Sequence, residues 1–435
     1  MASEWPAIDA LMGGTRTMRA AKKSFLPQWP SEEDAFYAAR LASAVLHPVY
    51  SRTCAVMAAK PFAKTINLKN IKSTAILSLL ENVDLAGTNI HAFGYSAILK
   101  TLSHGFCGVL VDYPTVAKGV KSKAEEKQTG ARPYFAFYPA GTVLGWLEAK
   151  GKLTQIRLLE HVKLPDGWGE KQIEQVRVLT VGAWETFRKN DKEEWVLFET
   201  GINSLSEIPF VFFTADKGAL GVSAPPLVGL AYQNIEHWQT ASDHKTIVHV
   251  ASVPILFGAG FGTNDQIIIG SSKAVTTGEP TAKLQYIEHT GAAIGAGRTA
   301  ILDIEDRMRK SGAELISDDR TAVTATQVSS ENKANISQLG LITELVEDSL
   351  NQCLRLMGAW LGESDIGELE LFKDFETGNN LDDQGLLLGA VDRSVISKET
   401  FYSILQKRNL IDQESRWADE SERIKQQPTE SPKPV

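Results

Sequence analysis

The chain has 435 residues, 43% of them hydrophobic and 23% charged. That composition excludes a disordered or fibrous protein and leaves room for roughly two to four domains. The formal net charge is −8, and tight nucleic-acid binding draws on a basic excess, so the chain is not built to hold DNA or RNA firmly.

Met1 to Met12 carries Glu4 and Asp9 and lacks both a basic start and a continuous apolar core, so it is not expected to serve as a signal peptide. Ser31-Glu32-Glu33-Asp34 is expected to open a helix through Ala35 to Leu46, ended by His47-Pro48. Residues 66–105 read mainly as helix, including Ser73–Glu81 and Ile90–Ser103. The period then changes. Strands are expected at Phe106–Tyr113, Tyr134–Tyr138, Thr154–Leu159, Glu174–Val181, Trp184–Arg188 and Glu194–Glu199. Asn190-Asp191-Lys192-Glu193 reads as a hairpin loop, and Lys118–Arg132 as a charged, solvated excursion. Pro225-Pro226 opens a helix to about Val250, roughly 37 Å long and polar at its centre, Gln233 to Lys245.

The longest uncharged run, Thr246 to Asn264, holds Pro254 and three glycines, so a membrane span is not expected. Short strands follow at Pro254–Phe257, Gln266–Ile269 and Lys283–Ile287. A charged helix is expected from Gly297 to Lys310, then a polar link, Ser317–Thr326. The strongest helical period spans Gln327 to Leu361, with Leu339, Ile342, Val346, Leu350, Cys353, Met357 and Trp360 on one face. A last helix covers Ser397–Arg408, before a Pro-rich tail ending at Val435.

Chemical motifs are sparse. No GxxxxGK with Ser or Thr is present, so P-loop hydrolysis is not expected. Gly258-Ala259-Gly260-Phe261-Gly262 has the wrong spacing for a dinucleotide site and runs into Ile267-Ile268-Ile269, a strand, which favours a turn. Gly94-Tyr95-Ser96-Ala97-Ile98 lacks the second glycine of a nucleophile elbow. His237 and His244 stand seven apart on one helix, about 10.5 Å along its axis, too far to share a metal unaided. They are expected at a polar packing surface. Asp318-Asp319 and Asp382-Asp383 lack supporting ligand spacing. Cys54, Cys107 and Cys353 form no CxxC or Cys/His cluster and are expected as free buried thiols. No cofactor is called for, and the chain is not expected to be an enzyme.

Four stretches carry a family resemblance. The first is Trp5 to Gly14 with Met18-Arg19 and Phe25-Leu26-Pro27. The second is Tyr138-Pro139-Ala140 through Gly145-Trp146 to Leu153–His161. The third is Ile208 to Val211, Pro225 to Ala231, then Asn234, His237-Trp238 and Ser242-Asp243. The fourth is Thr324-Ala325-Thr326 with Ser330-Glu331. In order and spacing they resemble portal proteins of tailed bacteriophages, specifically a small-portal group catalogued as a domain of unknown function (DUF4055). The resemblance implies an α+β, portal-type multi-domain fold: a wing over 1–224, with 106–200 its β-rich part; a first stem helix over 225–252; a clip over 253–295; a second stem helix over 296–312; a tunnel loop over 313–328; a long wing helix and return over 329–379; a short crown over 380–425; and a disordered tail over 426–435.

It further implies a ring of about 12 identical chains at the portal vertex of a virion, assembled in the host cytoplasm. The implied partners are the terminase large subunit, the major capsid protein and scaffold, a head-completion adaptor, and double-stranded DNA held weakly and without sequence preference. No membrane is involved. Implied tunnel-lining residues are Arg307, Arg309, Lys310, Asp318, Asp319, Arg320 and Thr321. Implied clip docking residues are Asn264, Asp265, Lys273 and Glu279. The mixed charge of the second stem helix, Arg298, Arg307, Arg309 and Lys310 against Asp303, Glu305 and Asp306, suits a wall past which a duplex must slide. The long helices are too polar at their centres to be buried within one subunit, which favours contacts between copies. Two other classes stay open: another ring-forming virion connector or adaptor, and an enzyme with an unrecognised site.

Overall fold

The computed structural model describes residues 2–114, 130–252, 255–261, 279–287, 292–313 and 337–373, with shorter stretches between 375 and 426. The fold is α+β. The chain divides into two units, Met1–Lys373 and Asp374–Val435.

The first unit begins with α1 (Trp5–Met12), α2 (Gly14–Ala20), α3 (Asp34–Ser43) and α4 (Val49–Ala59). Helix α3 starts at Asp34 rather than Ser31 because Glu32 is engaged elsewhere. Its carboxylate pairs with Arg40 at 2.7 Å and accepts the Trp29 N–H at 3.1 Å, which holds the chain outside the helix. Strand β1 (Asn67–Lys69) and helices α5 (Thr74–Leu80) and α6 (Ile90–His104) follow. Ser73 and Asn89 cap the two helices, their side-chain oxygens accepting from Ile76 N and Ala92 N. Gly105 ends α6 at φ +89°, and a Cβ there would lie 2.5 Å from Ser223 O, so both backbone and space require glycine.

Strands β2 (Phe106–Asp112), β3 (Tyr134–Pro139), β4 (Val143–Ala149), β5 (Lys152–Asp166), β6 (Gly169–Thr180), β7 (Ala183–Lys189), β8 (Trp195–Ile202) and β9 (Phe210–Thr214) build two sheets. One has the order β3-β2-β9 and the other β4-β5-β6-β7-β8, with antiparallel pairs throughout. Strands β4 and β9 were not expected. The first has two bulges that break its period, and the second opens Phe-Val-Phe-Phe, a continuous apolar run without alternation. β5 and β6 are longer than expected and pair from Gln155↔Thr180 out to Asp166↔Gly169.

Strand β2 is buried on both faces. Phe106 and Leu110 join Ile156, Leu158 and Leu179 of the five-stranded sheet in one core. Cys107, on the opposite face, lies against Ala97 and Thr101 of α6. Between the sheets Arg177 bridges Asp112 at 2.7 Å and Glu160 at 2.9 Å.

Three long helices complete the unit: α7 (Val228–Ala251), α8 (Ala292–Ala313) and α9 (Gln338–Leu361), with β10 (Ile255–Ala259) paired antiparallel to β11 (Lys283–Ile287), and β12 (Glu368–Glu370) paired with β1. Helix α9 buries Leu339, Ile342, Val346, Leu350, Cys353 and Met357 over the three-stranded sheet. Ser349 donates to Phe212 O at 3.1 Å and the Trp360 indole to Val111 O at 2.8 Å. The expected strand Gln266–Ile269, the loop Lys118–Arg132 up to 129, the link Ser317–Thr326 and the first part of the long helix, 327–336, lie outside the described residues. Cys54, Cys107 and Cys353 are free and buried, and burial pushes the first two thiols up to about 12. In the second unit α10 (Lys398–Lys407) and α11 (Trp417–Gln426) meet through Tyr402 and Trp417, ring centres 5.3 Å apart.

Candidate functional site

Helices α7 and α8 run antiparallel. Glu236 meets Arg307 at 2.8 Å, His237 meets Glu305 at 3.2 Å, and the His244 ring lies over Gly297, so residue numbers on one rise as those on the other fall. At 1.5 Å per residue they are about 36 Å and 33 Å long. The second starts at Ala292, earlier than expected from Gly295 and Gly297, whose low helix propensity hides its first turn.

Both helices are rooted at the same end. On α7 the buried residues are Leu230, Ala231, Asn234, His237, Trp238 and Ser242, all in its first two-thirds. On α8 the buried positions Ile304, Met308 and Gly312 recur every fourth residue, in its second half. The far end of the pair, which carries β10 and β11, exposes Val248, Val250, Phe257, Leu284 and Tyr286.

The root is held by polar clamps as much as by apolar packing. Asn234 is fully buried; its side-chain oxygen accepts Tyr50 N–H and its amide donates to His47 O, both at 2.9 Å. Arg40 reaches from α3 to Asp243 at 3.3 Å. Gln239 donates to Phe25 O, Lys245 to Ser43 O, and Tyr232 to Glu4. His237 stacks beside His47, ring centres 5.2 Å apart; burial lowers its pKa, while Glu305 pulls the other way. The sequence singled out Asn234 and Asp243 by resemblance and Glu305 as a helix charge, but gave none of them a partner, and it passed over Glu236. The available signal was Asn234, Trp238 and Ser242 at spacings of four inside a polar helix.

Of the charged residues expected to line a tunnel, Arg307, Arg309 and Lys310 are described, and Arg307 is turned to a different partner from the other two. Arg307 is turned toward α7 through Glu236. Arg309 borders a cavity of about 620 Å³ with His47, Arg52, Val56 and Met308, and pairs with Asp306 at 3.1 Å. Lys310 pairs with Asp306 at 2.8 Å, which lowers the Asp306 pKa. All three cations are exposed, and each has a carboxylate partner. Asp318, Asp319, Arg320 and Thr321, with Asn264, Asp265 and Lys273, lie outside the described residues. Glu279 is described and accepts from Thr281 at 2.7 Å. Among the described residues no group of three metal-ligating side chains converges, and no helix is long and apolar enough to cross a membrane.

Residues 226–361 match the family model described as Domain of unknown function (DUF4055). The match covers α7, α8, the β10–β11 pair and α9, and stops at the last residue of α9. No curated protein matches the chain. Among solved structures, a chain in the neck of a native GTA particle computed with C12 symmetry is similar at 12% identity and TM-score 0.43, over 90% of this chain and 98% of that one. A chain in the virion of a native gene transfer agent particle is similar at 12% identity and TM-score 0.42, over 89% and 98%. A chain in the neck of an empty GTA particle computed with C6 symmetry is similar at 12% identity and TM-score 0.42, over 82% and 90%.

Proposed function

We propose that the chain is a portal-type subunit: one of a ring of identical copies forming the DNA conduit at a capsid vertex. The observation that carries this reading is the antiparallel α7–α8 pair, rooted at one end and bearing the antiparallel β10–β11 pair at the other, inside the stretch that matches DUF4055. A pair with so few buried positions in its outer half leaves long surfaces for neighbouring copies, and a ring of such pairs encloses a channel.

On this reading α7 and α8 are the stem and the β10–β11 pair belongs to the clip. Residues 1–224 with α9 form the wing, 313–328 the tunnel loop, and 380–425 the crown. The ring resides in the virion after assembly in the host cytoplasm. Its partners are the terminase large subunit, the capsid and scaffold proteins, a head-completion adaptor, and DNA held weakly. The paired cations on α8 fit that last role, because a carboxylate beside each one limits how firmly it holds a phosphate.

Native mass spectrometry and particle imaging of the purified chain test this reading. The expected result is a closed ring of about 12 copies without ATP hydrolysis of its own. A species that stays monomeric at every concentration and ionic strength, with no ring in particles, overturns it.

A further inference from the structure

We propose that β8 is a subunit–subunit edge, covered in the assembled ring by the β4 edge of a second copy of this chain. The proposal rests on the ring reading above. Strands β4 and β8 are the two edges of the five-stranded sheet, and among the described residues no backbone hydrogen bond reaches the outer side of either. Natural edge strands are guarded by charged side chains, above all Lys, by Pro, by bulges or by extreme shortness. β8 has eight residues, Trp-Val-Leu-Phe-Glu-Thr-Gly-Ile, with neither Lys nor Pro; Glu199 is its one charge, and one register shift against β7, at Thr186 and Phe187, interrupts it. Its apolar side chains face water on both sides of the strand: Trp195 is 43% exposed, Val196 42%, Leu197 55%, Phe198 54% and Ile202 89%. Scaled to the area of a large side chain, these five present about 500 Å² of surface, more than half of the roughly 800 Å² that one partner buries in a stable interface.

The identity of the occupant follows from the other edge. β4 exposes Leu144 and Leu147, so the same sheet carries apolar side chains at both ends. The strands alternate in direction, which leaves β4 and β8 pointing the same way. In a ring of about 12 copies each neighbour is turned by only about 30°, so it brings its β4 beside β8 nearly parallel. That contact joins two different surfaces, repeats from copy to copy and closes. A β8-to-β8 contact would need a two-fold axis and would stop at a dimer. A different protein seated on β8 would leave the leucines of β4 without a role.

The test uses the full chain carrying Leu197→Cys and Leu144→Cys together, treated with a short bismaleimide. The native Cys54, Cys107 and Cys353 are buried and do not compete. The expected product is a ladder of covalent multimers up to the size of the ring, with each single variant remaining at monomer mass. Dimers from Leu197→Cys alone overturn the proposal, because they report β8 against β8. In parallel, Leu197→Lys with Ile202→Lys, two exposed positions on β8, is expected to raise the concentration needed for assembly at least about tenfold with an unchanged melting temperature. Wild-type rings that form while this variant assembles equally well overturn this proposal and leave the portal reading standing. Variant rings that form normally yet fail to enter capsids assign β8 to another virion protein and also overturn it. A wild-type chain that never leaves the monomer overturns both readings.

Discussion

Replacing Asn234 tests whether the root of α7 is set by its polar clamp. The side chain has no exposed surface and holds Tyr50 N–H and His47 O at 2.9 Å each, tying α7 to the start of α4. Alanine strands one buried donor and one buried acceptor, each costing about 1–3 kcal/mol, so Asn234→Ala should lose about 2–6 kcal/mol. The unit spans Met1–Lys373; at about 2.1 cal/mol/K of unfolding entropy per residue, that loss lowers its melting temperature by about 3–8 °C. Asn234→Asp adds a sign test. It keeps an acceptor for Tyr50 but sets an ionised oxygen against His47 O. Burial raises the pKa of the new carboxyl, so whatever stability it retains is present at low pH and lost as pH rises through the folded value. Relative to wild type, Asn234→Asp should melt closer to normal at pH 5 than at pH 8. Thermal melts followed by circular dichroism decide the matter. A shift under about 1 °C for Asn234→Ala would show that water replaces the amide without loss, and would refute the reasoning.

Two glycines on α8 should respond oppositely to alanine. A Cβ at Gly295 meets nothing within 4 Å, so Gly295→Ala should gain about 0.5–1 kcal/mol of helix propensity; at Gly297 it would lie 2.6 Å from His244 Nδ1, and Gly297→Ala should lose about 1 kcal/mol net, with equal melting temperatures arguing against this packing. Burial lowers the pKa of His237 and of His104, so the unfolded chain takes up protons before the folded one does. Their contribution is present above 6.5, the ordinary histidine value, and is lost as pH falls below it; melting temperature should drop from pH 7 to pH 5, and His237→Gln should flatten the slope. Replacing Arg307, Arg309 and Lys310 with Ala removes exposed ion pairs and should change stability by less than about 1 kcal/mol. DNA retention in assembled particles should alter first, and a triple variant that fails to fold in denaturation curves would contradict this.

The long helices were legible because their residues follow a helical period. In α9, Leu339 to Met357 recur by threes and fours, and the structure buries that face. α7 was legible from its prolines and length although its polar centre has no apolar stripe, because Pro225-Pro226 marks an entry whatever follows. Strand β4 was hidden by its bulges, and the β1–β12 pair by being three residues long and joined across some three hundred positions. At the candidate site, Arg307, Arg309 and Lys310 were visible as charges, but their distribution around α8 depends on partners. Glu236, 71 residues from Arg307, turns that arginine toward α7, and no local spacing encodes the pairing. His237 and His244 were read as packing rather than metal-binding residues from their separation. The structure sets both against α8, one at Glu305 and the other over Gly297.

The shared root of α7 and α8 makes the pair a cantilever. A sideways load on the β10–β11 end acts through a lever arm of roughly 20 Å, taking the outer half of each helix at 1.5 Å per residue, and the bending moment is greatest where burial begins. The resisting contacts are those that lock the root: the Asn234 amide, the Arg40–Asp243 pair, and Ile304, Met308 and Gly312 seated in the body. Stiffness at the tip is therefore set by residues that never touch whatever binds there. A softened root should first appear as wider swing of the β10–β11 pair, well before any loss of fold.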